Sequence, residues 1–102
     1  MDKNFEITMR KGFHMTFSNG YTASVQWGAG NYCDNYHSKD FMGVADAKSD
    51  TAEVAVILGD RMVDANPFVP EDAQCCDTVC GFLTPEQVAE FCTMCLKHID
   101  GR

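Results

Sequence analysis

Two alternating runs separated by Ser18-Asn19-Gly20 constrain this chain more than any other feature. In residues 5–17 the odd positions are Phe5, Ile7, Met9, Lys11, Phe13, Met15 and Phe17, with mostly polar residues between them. In residues 21–27, Tyr21, Ala23, Val25 and Trp27 alternate with Thr22, Ser24 and Gln26. Period two places every second side chain on one face of a pleated strand. The loop then sets the register. A two-residue Asn19-Gly20 loop would put Phe17 opposite Thr22, apolar against polar. A three-residue loop puts Phe17 against Tyr21, Met15 against Ala23 and Phe13 against Val25. Antiparallel partners share a face, so the second register is predicted. It also places Gly20 at the left-handed position of a type I turn with a G1 bulge. Gly12 interrupts the first run and marks either a bulge or a break into two strands. His14, on the polar face opposite Ser24, reads as a surface residue.

Residues 28–50 lack sustained periodicity and are rich in Gly, Asn, Asp and Ser, so they read as one long loop. A connection of that length is uncommon in a compact domain and is often functional. The run TAEVAVIL (51–58) puts Ala52, Val54, Val56 and Leu58 on one face. Gly59-Asp60 then turns the chain into RMVDA, with Val56 opposite Val63. Pro67 and Pro70 break regular structure in the stretch that follows, and DTVCGFL (77–83) reads as a short extended segment. A helix comes last. Thr84 is its N-cap, Pro85 stands at N1, and Gln87 at N3 completes a capping box. Leu83 and Val88 form the hydrophobic staple. Val88, Phe91, Cys92, Cys95 and Ile99 recur at helical spacing as one apolar face, and Gly101 is suited to end the helix. The expected architecture is α+β: a single domain over residues 1–102, an antiparallel β-meander of about five strands with one C-terminal helix packed on a face.

With 102 residues, 45% of them hydrophobic, the chain can bury one modest core. No run approaches the roughly 20 apolar residues of a membrane span, and residues 1–10 lack the apolar block of a signal peptide. The expected compartment is the cytoplasm. Charge is unevenly placed: residues 1–39 carry four basic and three acidic side chains, residues 40–102 four basic and twelve acidic. Such an acidic surface repels nucleic acid and membrane headgroups and favours basic protein surfaces. Solubility alone is the plainer account of the same acid.

Six cysteines are many for this length. In a reducing compartment they read as small buried hydrophobes, with metal binding as the sharper alternative. Cys92 and Cys95 form a CxxC about two turns into the helix. There they lack the N-terminal dipole that lowers a redox thiol's pKa, so packing is the better account. Structural zinc takes four thiolate or imidazole ligands, commonly as two pairs, and Cys76, Cys80, Cys92 and Cys95 are the candidates. A disulfide would form in an oxidising compartment, with Cys33 the odd one out.

No Gly-x-Ser-x-Gly, His-Glu-x-x-His or P-loop is present, and an enzyme is not expected. Cys33, Asp34 and His37 could form a small polar cluster, a weak signal for nucleophilic catalysis. Gly28-Ala29-Gly30 mimics the start of a dinucleotide fingerprint but lacks a third glycine and a following helix. The loop could still hold an anion or a nucleotide-derived signal through backbone N–H groups, with Asn31, Tyr32, Asp34, Asn35 and Tyr36 supplying polar and stacking contacts. As a plain connector it is a glycine-broken strand end followed by an ordered loop.

The stretches KGFHMTFSNGYTASVQWGAGNYCDNY, TAEVAV and GFLTPEQVAEF, in that order, resemble a pattern in small uncharacterised proteins of bacteriophages and prophages. The cysteine-rich residues 75–80, with Cys92 and Cys95, depart from that pattern. The resemblance implies no activity, cofactor or catalytic residue. It implies a setting: a small accessory protein made inside an infected bacterium. Small acidic phage proteins often resemble inhibitors of host defence such as anti-CRISPR proteins. The expected function is therefore non-enzymatic binding of a host protein, one that handles nucleic acid, through the acidic surface. The alternatives are a small-ligand binder using residues 28–37 and a zinc-stabilised structural domain.

Overall fold

The computed structural model describes residues 4–8, 11–37 and 48–98. Among these, seven strands form one antiparallel sheet, and one α-helix lies on a face of it. The strands are β1 (Phe5–Thr8), β2 (Gly12–Thr16), β3 (Tyr21–Gln26), β4 (Ala52–Leu58), β5 (Arg61–Val63), β6 (Gln74–Cys76) and β7 (Val79–Leu83), and the helix is α1 (Pro85–Lys97). The sheet order is β1-β2-β3-β4-β7-β6, with β5 paired to β4. The α+β class stands, with two more strands than expected.

The central hairpin has the predicted register: Phe13 opposes Val25 and Met15 opposes Ala23. The loop is the three-residue one, closed by Phe17 N donating to Tyr21 O at 2.9 Å, and Gly20 takes φ +94°. The break in the first run falls before Gly12, which opens β2. Thr8 pairs with Gly12, so β1 and β2 form an antiparallel pair of their own. Met9 lies outside the described residues. The half-buried face expected for the whole run holds only for β2, because Phe5 and Ile7 are exposed on the edge strand β1. Val56 opposes Val63 as predicted, and positive φ at Gly59 but not at Asp60 fits a type II′ turn.

Sequence reading missed the β6–β7 hairpin. Its two-residue turn, Asp77-Thr78, contains no glycine, and Asp77 supplies the positive φ (61°) that such a turn needs. Aspartate tolerates this conformation better than most residues, since its short side chain bonds locally. Between the pairs Ala52–Leu83 and Val54–Cys80, β4 advances two residues and β7 three. Phe82 sits in the resulting bulge at φ 58°, an uncommon conformation for a bulky side chain.

The core lies between the sheet and α1. Tyr21, Ala23, Val25, Val54, Val56, Cys80 and Leu83 meet Phe91 and Cys95 there, with Val88 and Cys92 partly buried beside them. Both helix ends are tied. Thr84 Oγ1 accepts from Gln87 N at 3.2 Å while Gln87 Oε1 accepts from Thr84 N at 2.9 Å, the predicted capping box. The helix ends at Lys97 with His98 as C-cap; Ile99 and Gly101 lie outside the described residues. The last turn is closed from the hairpin loop. Asn19 Nδ2 donates to the carbonyls of Cys95 (2.8 Å), Leu96 (3.2 Å) and His98 (3.2 Å), and Asn19 Oδ1 accepts from Tyr21 N. One amide thus satisfies orphan carbonyls of a helix 76 residues further along the chain. Asn19→Ala should lower unfolding stability by about 1–3 kcal/mol, the cost of leaving such groups unmade. Urea denaturation read by circular dichroism would check this, and a loss below about 0.5 kcal/mol would show that water caps the helix equally well.

Candidate functional site

Residues 28–37 fold back over the sheet face opposite α1, where Ser24 and Ala55 are buried. Asn31 Nδ2 donates to Glu53 Oε1 at 2.9 Å, and Glu53 alternates with the core residue Val54, so the contact lies on that second face. Tyr32 O accepts from Phe82 N at 2.8 Å, joining the loop to the bulge. Gly81 permits this approach: a Cβ there would stand 2.4 Å from Tyr32 Cβ. Within the loop, Ala29 and Cys33 are buried.

The polar side chains hold the loop itself. Asn31 Oδ1 accepts from Gly28 N at 3.0 Å. Asn35 Nδ2 donates to Trp27 O at 2.8 Å and to Lys48 O at 2.9 Å. Asp34 Oδ1 accepts from Thr51 Oγ1, which itself accepts from Asp34 N, both at 2.9 Å. Gly30 N donates to Tyr36 O, and Cys33 N to Asn31 O. An anion cradle requires convergent N–H groups aimed outward, whereas here both glycine N–H groups are bonded within the loop. The rings of Tyr32 and Tyr36 stack on each other at 5.4 Å, and His37 meets Tyr36 edge to face at 4.9 Å. All five candidate ligand-binding residues thus come together, but in contact with their own chain.

The Cys33, Asp34 and His37 cluster is not assembled among the described contacts. Cys33 Sγ donates to Gly28 O at 3.6 Å, Asp34 engages Thr51, and His37 packs on Tyr36. Burial pushes the Cys33 thiol above its ordinary pKa, and the charges of Asp34 and Glu53 add to the rise. A protonated, buried thiol is a poor nucleophile.

The four cysteines considered for zinc are not gathered either. Strand pairing sets Cys75 opposite Cys80, and the two are joined in a disulfide across the β6–β7 hairpin. The Cys80 sulfur is therefore bonded to carbon and sulfur rather than free to ligate. Cys76 is exposed on β6, while Cys92 and Cys95 lie on α1 against the core. Burial, with Cys92 adding to it, pushes the Cys95 thiol up to about 12, and burial raises Cys92 as well. Among the described residues no group of three His, Cys, Asp or Glu side chains could hold a metal ion. Of the readings the sequence leaves open for the cysteines, a disulfide is found for Cys75 and Cys80. The missed signal was the hairpin, which alone brings residues five apart into register.

These placements order the thiols by reactivity. Under native conditions without reductant, Cys76 should react first with a thiol reagent, and Cys33 and Cys95 only on unfolding. Mass spectrometry of alkylated peptides at increasing times would check the order; early labelling of Cys95 would show that α1 opens readily.

Comparison with protein-family models, curated proteins and solved structures found no match. No helix among the described residues is long and apolar enough to cross a membrane.

Proposed function

We propose that this chain is a non-enzymatic accessory protein of phage or prophage origin that binds a host protein in the bacterial cytoplasm. Its target is a basic surface of the kind that handles nucleic acid, and the binding inhibits a defence component in the manner of an anti-CRISPR protein. The observation that carries this reading is the charge the fold displays. The described residues hold eleven carboxylates against four Lys or Arg side chains, and ten of the eleven carboxylates are exposed. Glu6 Oε1 lies 3.5 Å from His14 Nδ1. Exposed carboxylates in such excess create a negative potential that steers association with a basic groove and can stand in for phosphates. The setting comes from the phage resemblance. Reduction of the Cys75–Cys80 disulfide in a cytoplasm would leave the hairpin closed by strand pairing.

Immobilised protein exposed to bacterial lysate should retain a partner at low salt and release it at high salt. Double-stranded DNA should displace the same partner. A partner indifferent to both would sink the electrostatic reading, because contacts between exposed charges weaken as salt screens them.

A further inference from the structure

The sheet is wider than the helix that covers it. α1 lies over β3, β4 and β7, whereas β1 and β2 extend beyond it on the same face. Phe5 pairs with Met15 and Ile7 with Phe13, and those β2 residues pair with Ala23 and Val25 of the core. Paired residues share a face, so Phe5 and Ile7 point to the helix side of the sheet. They are nonetheless 73% and 81% exposed.

The helix presents a matching flank. Pro85, Ala89, Cys92 and Leu96, spaced by four, three and four residues, form one stripe beside the core stripe. Leu96 is 52% exposed. A groove of ≈ 390 Å³ lined by Phe13, Val25, Trp27, Pro85, Val88 and Ala89 opens where this flank meets β2. Floor and one wall of the trough are apolar. Two strands span roughly 10 Å, about the diameter of an α-helix. Glu86 and Glu90 stand on the solvent side of the wall, Asp50 lies at the groove, and Lys97 at the far end is the only cation of α1.

We propose that this trough docks an amphipathic helix of a basic partner protein. The apolar face of that helix packs on Phe5, Ile7, Phe13 and Met15 and against the α1 flank, and its Lys or Arg residues meet Glu86 and Glu90. The inference rests on the acidic-binder reading and names the surface and the partner element. Charge selects the occupant: a second copy would bring a formal charge of −7 to an already acidic rim, whereas a basic helix relieves it.

Trp27, the only tryptophan, lines the groove and reports on its occupancy. The probe is a synthetic Leu/Lys amphipathic peptide of roughly 15–20 residues, long enough to form a helix, with a scrambled peptide of the same composition as control. The patterned peptide should shift Trp27 emission to shorter wavelength and bind at least tenfold more tightly than the scrambled one. Ile7→Asp, and independently Leu96→Asp, should each weaken it at least tenfold although both add negative charge. Both positions are exposed, and circular dichroism confirms that the variants fold. If scrambled and patterned peptides bind alike and neither variant matters, the trough is overturned while the acidic reading survives. If no basic peptide binds, both fall. A dimer in sedimentation that Ile7→Asp dissociates would assign the face to a second copy and overturn the proposal.

Discussion

Gly12→Ala is expected to destabilise the protein by about 3 kcal/mol or more, at the top of the range for overpacking. A Cβ at Gly12 would lie 2.0 Å from Val25 O and 2.7 Å from Gln26 Cα, both backbone atoms of the neighbouring strand. A side chain could rotate away from such a contact; a backbone carbonyl in a ladder can retreat only if β2 and β3 part. Gly12 pairs with Gln26, and Trp27 N donates to Lys11 O at 2.7 Å beside it, so separation would also cost hydrogen bonds. The comparison that tests the steric account is Gly30→Ala. Gly30 has φ +84°, but a methyl group added there would meet nothing within 4 Å, so only the torsional penalty of about 1–2 kcal/mol applies. Thermal melts should place Gly12→Ala roughly 12 °C or more below the parent, since each kcal/mol shifts Tm by about 4–8 °C in domains near this size. If Gly30→Ala proved the worse of the two, backbone torsion rather than strand approach would govern this sheet.

Phe91→Ala should cost about 3–5 kcal/mol, the usual range for truncating a fully buried aromatic side chain. Phe91 is 0% exposed and lies in the middle of the α1 stripe that closes the core. Its loss removes the principal apolar anchor of α1 and leaves a cavity between the helix and the sheet. A domain of this kind holds only about 5–15 kcal/mol in total, so the variant should unfold at markedly lower urea and lose helical signal. The caps at Thr84 and Asn19 orient the helix ends but do not replace that burial. A loss below about 1 kcal/mol would mean that the core collapses around the gap.

How much was legible in the chain follows from which interactions are local. The Phe17–Tyr21 loop, the Gly59 turn and the Thr84 capping box each depend on residues within five positions, and all three appear as expected. The β6–β7 hairpin escaped notice because its turn uses Asp77 in place of glycine and its bulge holds Phe82 at positive φ, against ordinary preference. Tertiary contacts sustain that choice, through Tyr32 O accepting from Phe82 N. Which cysteines pair was not legible for the same reason, since only strand register shows that Cys75 faces Cys80.

The loop of residues 28–37 shows the division between sequence and structure. Its composition is compatible with gripping a ligand or gripping itself, because asparagine and aspartate bond backbone groups equally well in either case. Only the fold decided, by bringing Glu53, Thr51 and Phe82 within reach of Asn31, Asp34 and Tyr32. The alternation of residues 13–25 and the acid of the C-terminal part were set by the sequence itself, through side-chain period and ionisation. The open apolar trough was not. Exposure of Phe5 and Ile7 follows from where one helix stops covering a seven-stranded sheet, and no local pattern records that boundary.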